Sequence, residues 1–359
     1  MAGGTRPYVE LQPGEHAPWF HQRSGDHPNY ALDAAAGRYL VLCFFASSKD
    51  PLAKRALKSV AAERALFDDA RFSFFGVTMD RGDDNEKRVK TKLPGIRYLF
   101  DFDGTVGRLY GALPADLKAG EGNVSMRRFW AVIGPNLRVL RIFAFEADGS
   151  EQAALFGYLK SLPPAALVTG FARAAPVIML DNIFETELCD GLIALYDKHT
   201  RHGDYAIENK ALIQAIQIRV QRRLLPEVLK AYQFRATRME RNVISSSAEA
   251  SVLPPHRDNT SRATAHRRFS VSINLNGDFE GGETDFPEYG PPAFKPPKGG
   301  ACVYSSSLLH GDGVVTAGKR YALTSFLYDE EATKVRVENE KTAGALSLDI
   351  PRKSARAKA

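Results

Sequence analysis

Residues 38–46, RYLVLCFFA, form an unbroken apolar run of strand length. A strand with no polar face must be covered on both sides, which favours a sheet flanked by helices over one that meets water. The neighbouring pattern agrees. Residues 51–67 have helical periodicity, and residues 71–79, RFSFFGVTM, read as a second buried strand. Residues 85–92 read as a helix and residues 105–110 as a short one. Two more strands, 129–133 and 139–145, flank the turn Gly134-Pro135-Asn136, and residues 150–161 read as a closing helix with Ser150 as its N-cap.

A βαβ start finished by a hairpin and a helix is a thioredoxin-like arrangement. A chain of 359 residues suits two domains. Proline and small residues break the periodic pattern over 163–175, PPAALVTGFARAA. The expected division is a thioredoxin-like α/β domain over 1–165 and a second domain over 166–335. Residues 336–359, which end PRKSARAKA, read as a basic disordered tail. The second domain opens with an amphipathic helix over 185–199 and a long helical stretch over 211–232. From 234 onward, short strand-like runs alternate with Gly, Pro, Asn and Asp clusters, the mark of an all-β sandwich or barrel.

No apolar run approaches the roughly 18–20 residues of a membrane helix, and the first residues lack an apolar leader. The expectation is a soluble cytoplasmic protein with no membrane partner. Cys43, Cys189 and Cys302 are far apart and form no CxxC pair, so they do not read as a disulfide framework or a zinc site, and the apolar runs around Cys43 and Cys302 favour buried structural thiols there. The net charge is +6, with basic clusters at 219–223, 235–241 and 262–268. No aromatic-plus-basic recognition motif accompanies them, so a solvated surface or an acidic substrate fits better than nucleic acid.

The chemistry-bearing residues lie in the second half. His256-Arg257-Asp258 sets an imidazole and a carboxylate two residues apart, and on an extended segment both point the same way. Such triplets also occur by chance. His310 follows 52 residues after Asp258, beyond a buried strand at 300–305. Two histidines and one carboxylate make the facial triad used for non-haem Fe(II), which leaves three coordination positions open. Arg320 follows ten residues later, and an arginine there can hold a carboxylate with a bidentate pair.

With these fragments the stretch 176–330 resembles the prolyl-hydroxylase-like branch of the 2-oxoglutarate/Fe(II) dioxygenases. The motifs that carry the resemblance run in order: Pro255-His256-Arg257-Asp258-Asn259, Arg268-Phe269-Ser270-Val271-Ser272-Ile273-Asn274, Phe279-Glu280-Gly281-Gly282-Glu283-Thr284-Asp285-Phe286, Pro297-Lys298-Gly299-Gly300, His310, and Gly318-Lys319-Arg320-Tyr321. The resemblance implies a double-stranded β-helix (jelly roll) with supporting helices. It implies His256, Asp258 and His310 as iron ligands and Arg320 as the anchor of the 2-oxoglutarate C5 carboxylate, with Lys319 as the rival anchor. Ser270, Ser272 and Asn274 share a strand face, and Ser272 and Asn274 are candidates for hydrogen bonds to the cosubstrate. The implied cofactors are Fe(II), 2-oxoglutarate as cosubstrate and O₂, with ascorbate as a candidate reductant. The implied reaction hydroxylates a C–H bond of an unidentified small-molecule, peptide or protein substrate and releases succinate and CO₂. The Gly281-Gly282 turn is read as a requirement for positive φ. Residues 244–251, ISSSAEAS, depart from the tyrosine and glycine that many relatives carry there, which leaves the substrate open.

Residues 7–165 resemble peroxiredoxins of the alkyl hydroperoxide reductase type. The segments that carry this are Leu11-Gln12-Pro13-Gly14-Glu15-His16-Ala17-Pro18, the strand end Phe44-Phe45-Ala46, and Arg127-Arg128-Phe129-Trp130-Ala131-Val132-Ile133. Peroxidase chemistry needs a low-pKa thiolate at the start of the following helix. That stretch reads Ser47-Ser48-Lys49-Asp50-Pro51, without cysteine. The domain is therefore read as a non-peroxidase, with a homodimer scaffold as one role for it and Arg127 or Arg128 as a residual active-site arginine. Two readings compete with the dioxygenase: a thiol peroxidase using Cys43, and a non-catalytic scaffold or sensor with a residual metal site.

Overall fold

The computed structural model describes residues 7–25, 27–118, 125–168, 173–200 and 203–348, with side chains up to 341. The chain divides into two compact units, Met1–Ala174 with Pro287–Pro291, and Ala175–Phe286 with Pro292–Ala359. The first unit therefore runs past the expected boundary at 165. Tyr39 Oη donates to the carbonyl of Pro163, and Leu162, Ala165 and Val168 pack on the first core, which ties the Pro-rich stretch to that unit.

The first unit is built on a seven-stranded sheet. Its middle strand is Phe72–Thr78, flanked in parallel by Tyr39–Ala46 on one side and Ile96–Phe100 on the other. The hairpin Phe129–Ile133 and Val139–Ala144 extends one side antiparallel, and His21–Ser24 with His27–Ala31 extends the other. Alternation along the apolar run explains why it has no polar face. Tyr39, Val41, Cys43 and Phe45 enter one core, beneath the helices Pro51–Ala62 and Ser150–Ser161, while Leu40, Leu42 and Phe44 enter the core on the opposite face. This is the thioredoxin-like arrangement.

Two local expectations fail here. The helix expected at 85–92 is Arg81–Asn85 instead, capped by the Asp80 carboxylate and ended by Lys87 at φ 52°. Ser150 is the first helical residue, not the cap. Gly149 precedes it at φ 82°, and the Ser150 amide donates to the Asp148 carboxylate.

The second unit is β-rich. Its larger sheet has six antiparallel strands in the order Val177–Leu180, Ala301–Ser305, Phe269–Asn274, Arg320–Tyr328, Arg238–Ser247, Asp204–Ala206. Leu253–His256, His310–Asp312 and Thr284–Asp285 form a smaller sheet. Phe269, Val271, Ile273, Val303, Leu323 and Leu327 cover one face of the larger sheet and pack with Leu192, Ile216, Leu224 and Val228 of the helical segments. The long helix expected over 211–232 runs from Lys210 to Tyr232 but contains a π turn at Val220–Leu224. The break falls just before Pro226, whose ring cannot sit in a regular helix interior.

The expected disordered tail is corrected over 336–348. These residues continue the helix Glu330–Leu348. Asp329 caps it by accepting from the Ala332 amide, Ala332 is buried, and Arg336 reaches Tyr328 Oη and Glu240. Residues 349–359 lie outside the described residues. No helix among the described residues is long and apolar enough to cross a membrane.

Candidate metal centre

Two short strands of the smaller sheet create the centre. Leu253–His256 pairs antiparallel with His310–Asp312, and the register sets His256 opposite His310. Facing residues on paired strands share a side, so the two imidazoles lie together with ring centroids 4.5 Å apart. Asp258, two residues beyond His256, joins them. Its amide is held by the carbonyl of Ser306. Asp258 Oδ1 is 3.6 Å from His256 Nε2 and Oδ2 is 3.4 Å from His310 Nε2. One ligand atom from each of the three lies within 4.8 Å of the others.

The outer contacts fix how these groups are presented. His256 Nδ1 faces the carbonyl of Pro254 and His310 Nδ1 that of Leu308, each at 3.0 Å. A carbonyl only accepts, so each Nδ1 carries the proton and each Nε2 lone pair is left for a cation. Ser270 Oγ donates to Asp258 Oδ2 at 2.6 Å, and Ser306 Oγ lies 2.9 Å from Ser270 Oγ. Ser270 has one proton and gives it to the carboxylate, so Ser306 donates to Ser270. Two imidazole nitrogens and a carboxylate on one side of a point suit a divalent first-row metal.

Charge follows geometry. The Asp258 carboxylate beside His256 raises that imidazole above its usual value. Burial lowers His310, which is far less exposed. Burial alone would push Asp258 up, but His256, His310 and the Ser270 hydroxyl outweigh it and hold its carboxyl below the usual range. Tyr304 and Phe286 wall the centre, with ring centroids 4.6 and 6.2 Å from His310. Burial raises the Tyr304 phenol well above its ordinary value, so it stays protonated.

Arg320 belongs to the same face. Register places Ser270 across from Phe326, Ser272 across from Thr324 and Asn274 across from Ala322, so even-numbered residues of the strand Arg320–Tyr328 share the face of Ser270, Ser272 and Asn274. Arg320 is only 4% exposed. Its Nε donates to Asn274 Oδ1 at 3.1 Å, Nη2 to Ser272 Oγ at 3.3 Å, and Nη1 pairs with Asp312 Oδ2 at 2.7 Å. Lys319 points the other way, toward Asp197 at 3.6 Å and over the ring of Tyr321. Asn274 has both ends of its side-chain amide engaged. Its amide nitrogen donates to the carbonyl of Pro296 while its oxygen accepts from Arg320, so it holds the guanidinium in place. Gly281, at φ 71°, is needed because a Cβ there would meet the Val314 carbonyl at 2.1 Å.

Several features of the site are not legible in the sequence. Ser270 can be read as sharing the face of Ser272 and Asn274, but its bond to Asp258 and its backing by Ser306 cannot. Tyr304 carries no local signal, whereas Asp312 stands two residues after His310 on a strand, the same spacing that marks His256 and Asp258. The basic cluster at 262–268 is also less open than its sequence suggests. Arg267 is buried, donates to Glu240 at 2.8 Å and stacks 3.7 Å over the Phe326 ring.

In the first unit Cys43 is fully buried in mid-strand, and burial pushes its thiol well above the usual value. Ser48 Oγ donates to Asp83 at 2.5 Å and Ser47 Oγ to Asp80 at 2.6 Å. Arg128 pairs with Asp50, which caps the helix Pro51–Ala62, and Arg127 pairs with Glu10. All three cysteines are free and buried.

Residues 13–141 match the AhpC/TSA family. The chain thus carries an AhpC/TSA-type domain toward its N-terminus. No curated protein matches the chain. Solved structures similar to parts of it fall into two groups. One includes the viral collagen prolyl hydroxylase of Paramecium bursaria Chlorella virus-1, with 19% identity over 43% of this chain and 96% of that one and a TM-score of 0.36. It also includes a 2OG-Fe(II) oxygenase family oxidoreductase from Burkholderia pseudomallei, with 22% identity over 43% and 84% and a TM-score of 0.35. The other includes peroxiredoxin Q of Xanthomonas campestris, with 20% identity over 40% and 90% and a TM-score of 0.33.

Proposed function

We propose that the second unit is a double-stranded β-helix holding a mononuclear Fe(II) centre, and that it uses 2-oxoglutarate and O₂ to hydroxylate a C–H bond of a substrate still to be identified. The observation that carries this reading is the convergence of His256 Nε2, His310 Nε2 and the Asp258 carboxylate, with both Nδ1 atoms committed to backbone carbonyls. Bound iron together with the keto acid would supply O₂ activation and oxidative decarboxylation to succinate and CO₂.

The chain's own contribution is positional. His256, Asp258 and His310 would bind the metal through one face and leave the others for exogenous ligands. Ser270, backed by Ser306, keeps Asp258 ionised and oriented. A guanidinium has five N–H groups, and three of those on Arg320 are engaged by Asn274, Ser272 and Asp312. One N–H on Nη1 and one on Nη2 remain for a carboxylate, the role assigned to Arg320 for the distal end of 2-oxoglutarate. Ser272 Oγ accepts from Arg320 and keeps its own proton for the cosubstrate. Tyr304 and Phe286 exclude water from the buried side at His310.

The test is succinate formation from 2-oxoglutarate with added Fe(II), alongside mass spectrometry of a cell extract for products that gain one oxygen atom. Both signals are expected for the parent chain and neither for His256→Ala. Succinate produced equally by both proteins would refute the assignment. The thiol-peroxidase alternative is disfavoured because Cys43 is buried and its thiol is held protonated.

A further inference from the structure

We infer that Asp312 sets the strength and selectivity of the Arg320 pocket toward the distal carboxylate of a keto acid. This rests on the cosubstrate reading above. The buried pocket already contains an anion. Asp312 Oδ2 lies 2.7 Å from Arg320 Nη1, and Thr284 Oγ1 donates to Asp312 Oδ1 at 2.8 Å, which locks the carboxylate against the guanidinium. Both partners are largely shielded, with side-chain exposures of 5% and 24%. Lys319, the adjacent cation, faces the other side of the strand and cannot offset the charge.

Arg320 therefore offers hydrogen-bond donors but little net positive charge. An arriving carboxylate can take the two remaining N–H groups, but it must then lie about one guanidinium width from Asp312. Two like charges about 6 Å apart at an effective dielectric near 20 repel by roughly 100-fold in affinity, and partial solvent access brings this to the order of tenfold. Asp312 thus weakens 2-oxoglutarate binding while leaving a keto acid with an uncharged distal end almost untouched. It narrows the preference that an unopposed arginine would give.

Asp312→Asn keeps the shape. The side-chain oxygen can accept from Arg320 and the amide can donate to Thr284 Oγ1, so only the charge is lost. Calorimetric titration of the full chain, saturated with Mn(II) in place of Fe(II), compares 2-oxoglutarate with 2-oxobutanoate. The expected result is roughly tenfold tighter 2-oxoglutarate binding by Asp312→Asn with 2-oxobutanoate unchanged. Asp312→Glu, which retains the charge, is expected to keep the wild-type ratio. A ratio unchanged by Asp312→Asn, while the wild type binds 2-oxoglutarate, would overturn the inference and leave the cosubstrate reading standing. Joint loss of Mn(II) and keto-acid binding would make Asp312 a structural support and also overturn it. Failure of both wild type and Asp312→Asn to bind 2-oxoglutarate in the Mn(II) form would remove the cosubstrate reading and the inference together.

Discussion

Ser270→Ala removes one hydroxyl and should weaken the metal site without touching a ligand. Ser270 is 1% exposed, and its hydroxyl donates to Asp258 Oδ2 at 2.6 Å. That distance is typical of a charge-assisted bond. A hydrogen bond to an ionised group contributes about 1.5–3 kcal/mol. Independently, loss of a partner that orients a metal ligand typically costs about 10–100-fold in affinity, which converts to about 1.4–2.8 kcal/mol. The two routes agree, so Mn(II) affinity should fall by about 10- to 100-fold. Water cannot easily replace a hydroxyl so deeply buried, and this argues against the low end. Anaerobic calorimetric titration with Mn(II) gives the affinity, and a thermal unfolding midpoint near the parent value guards against misfolding. The relay Ser306–Ser270–Asp258 adds a sharper condition. If Ser306 acts through Ser270, Ser306→Ala should cost affinity in the parent but almost nothing in the Ser270→Ala background. Affinity within twofold of the parent for Ser270→Ala, or full additivity in the cycle, would refute the reasoning.

Arg320→Lys replaces a planar fork with a point charge. The KM for 2-oxoglutarate in a succinate assay should rise about tenfold or more, with Mn(II) affinity unchanged. The three buried thiols should resist iodoacetamide in the native chain and react once it is unfolded, as mass spectrometry of labelled peptides would read. Asp101 in the first unit titrates with the opposite sign to most carboxylates. Burial pushes it up to about 6, against the pull of the Val106 and Gly107 amides. The folded state then binds the proton more tightly than the unfolded state. Its contribution is fully present below the unfolded value near 4 and is lost as pH rises to about 6. Relative to Asp101→Asn, the parent should lose stability between pH 4 and pH 7, by at most about 3 kcal/mol, in paired unfolding curves.

What the sequence makes legible is what periodicity encodes. The strand Phe269–Asn274 alternates Phe, Val and Ile toward the helices with Ser, Ser and Asn toward the centre, and both faces can be read from the letters alone. The same rule picks Arg320 over Lys319 for the inner face. Less legible are contacts set by register between distant strands. The pairing of His256 with His310 makes neighbours of residues 54 apart, and nothing local announces it. Asp312 escaped because its meaning depends on Thr284 and Arg320, which come from two other strands. The terminal helix escaped because its composition is charged. Its anchors are a cap at Asp329 and the long-range reach of Arg336 to Glu240. The failed helix at 85–92 is a local error of a different kind, since Asp80 starts the turn earlier and Lys87 in the left-handed region stops it.

The two units also differ in how they use buried acids, and the difference separates structure from chemistry. In the first unit Asp83 accepts from the Ser48 amide and hydroxyl and from Thr78, and it pairs with Arg88. Asp101 accepts from two helix amides and from Gln22. In both, protons already point at the oxygens, so the carboxylates serve the fold and offer little to a ligand. The triad keeps one such donor, Ser270 on Asp258 Oδ2, but sets two imidazoles beside the carboxylate. The Nδ1 protons of His256 and His310 are spent on carbonyls, which turns two nitrogen lone pairs toward a carboxylate 3.4–3.6 Å away. Electron-rich atoms gathered without a proton between them repel, and a cation removes the repulsion. The upward shift of His256 is that same field acting on a proton. A fold that holds these three groups from behind with Ser270 and two backbone carbonyls, and backs Ser270 with Ser306, has invested its hydrogen bonds in keeping the lone pairs together. That arrangement is what the proposed Fe(II) reading requires of the chain.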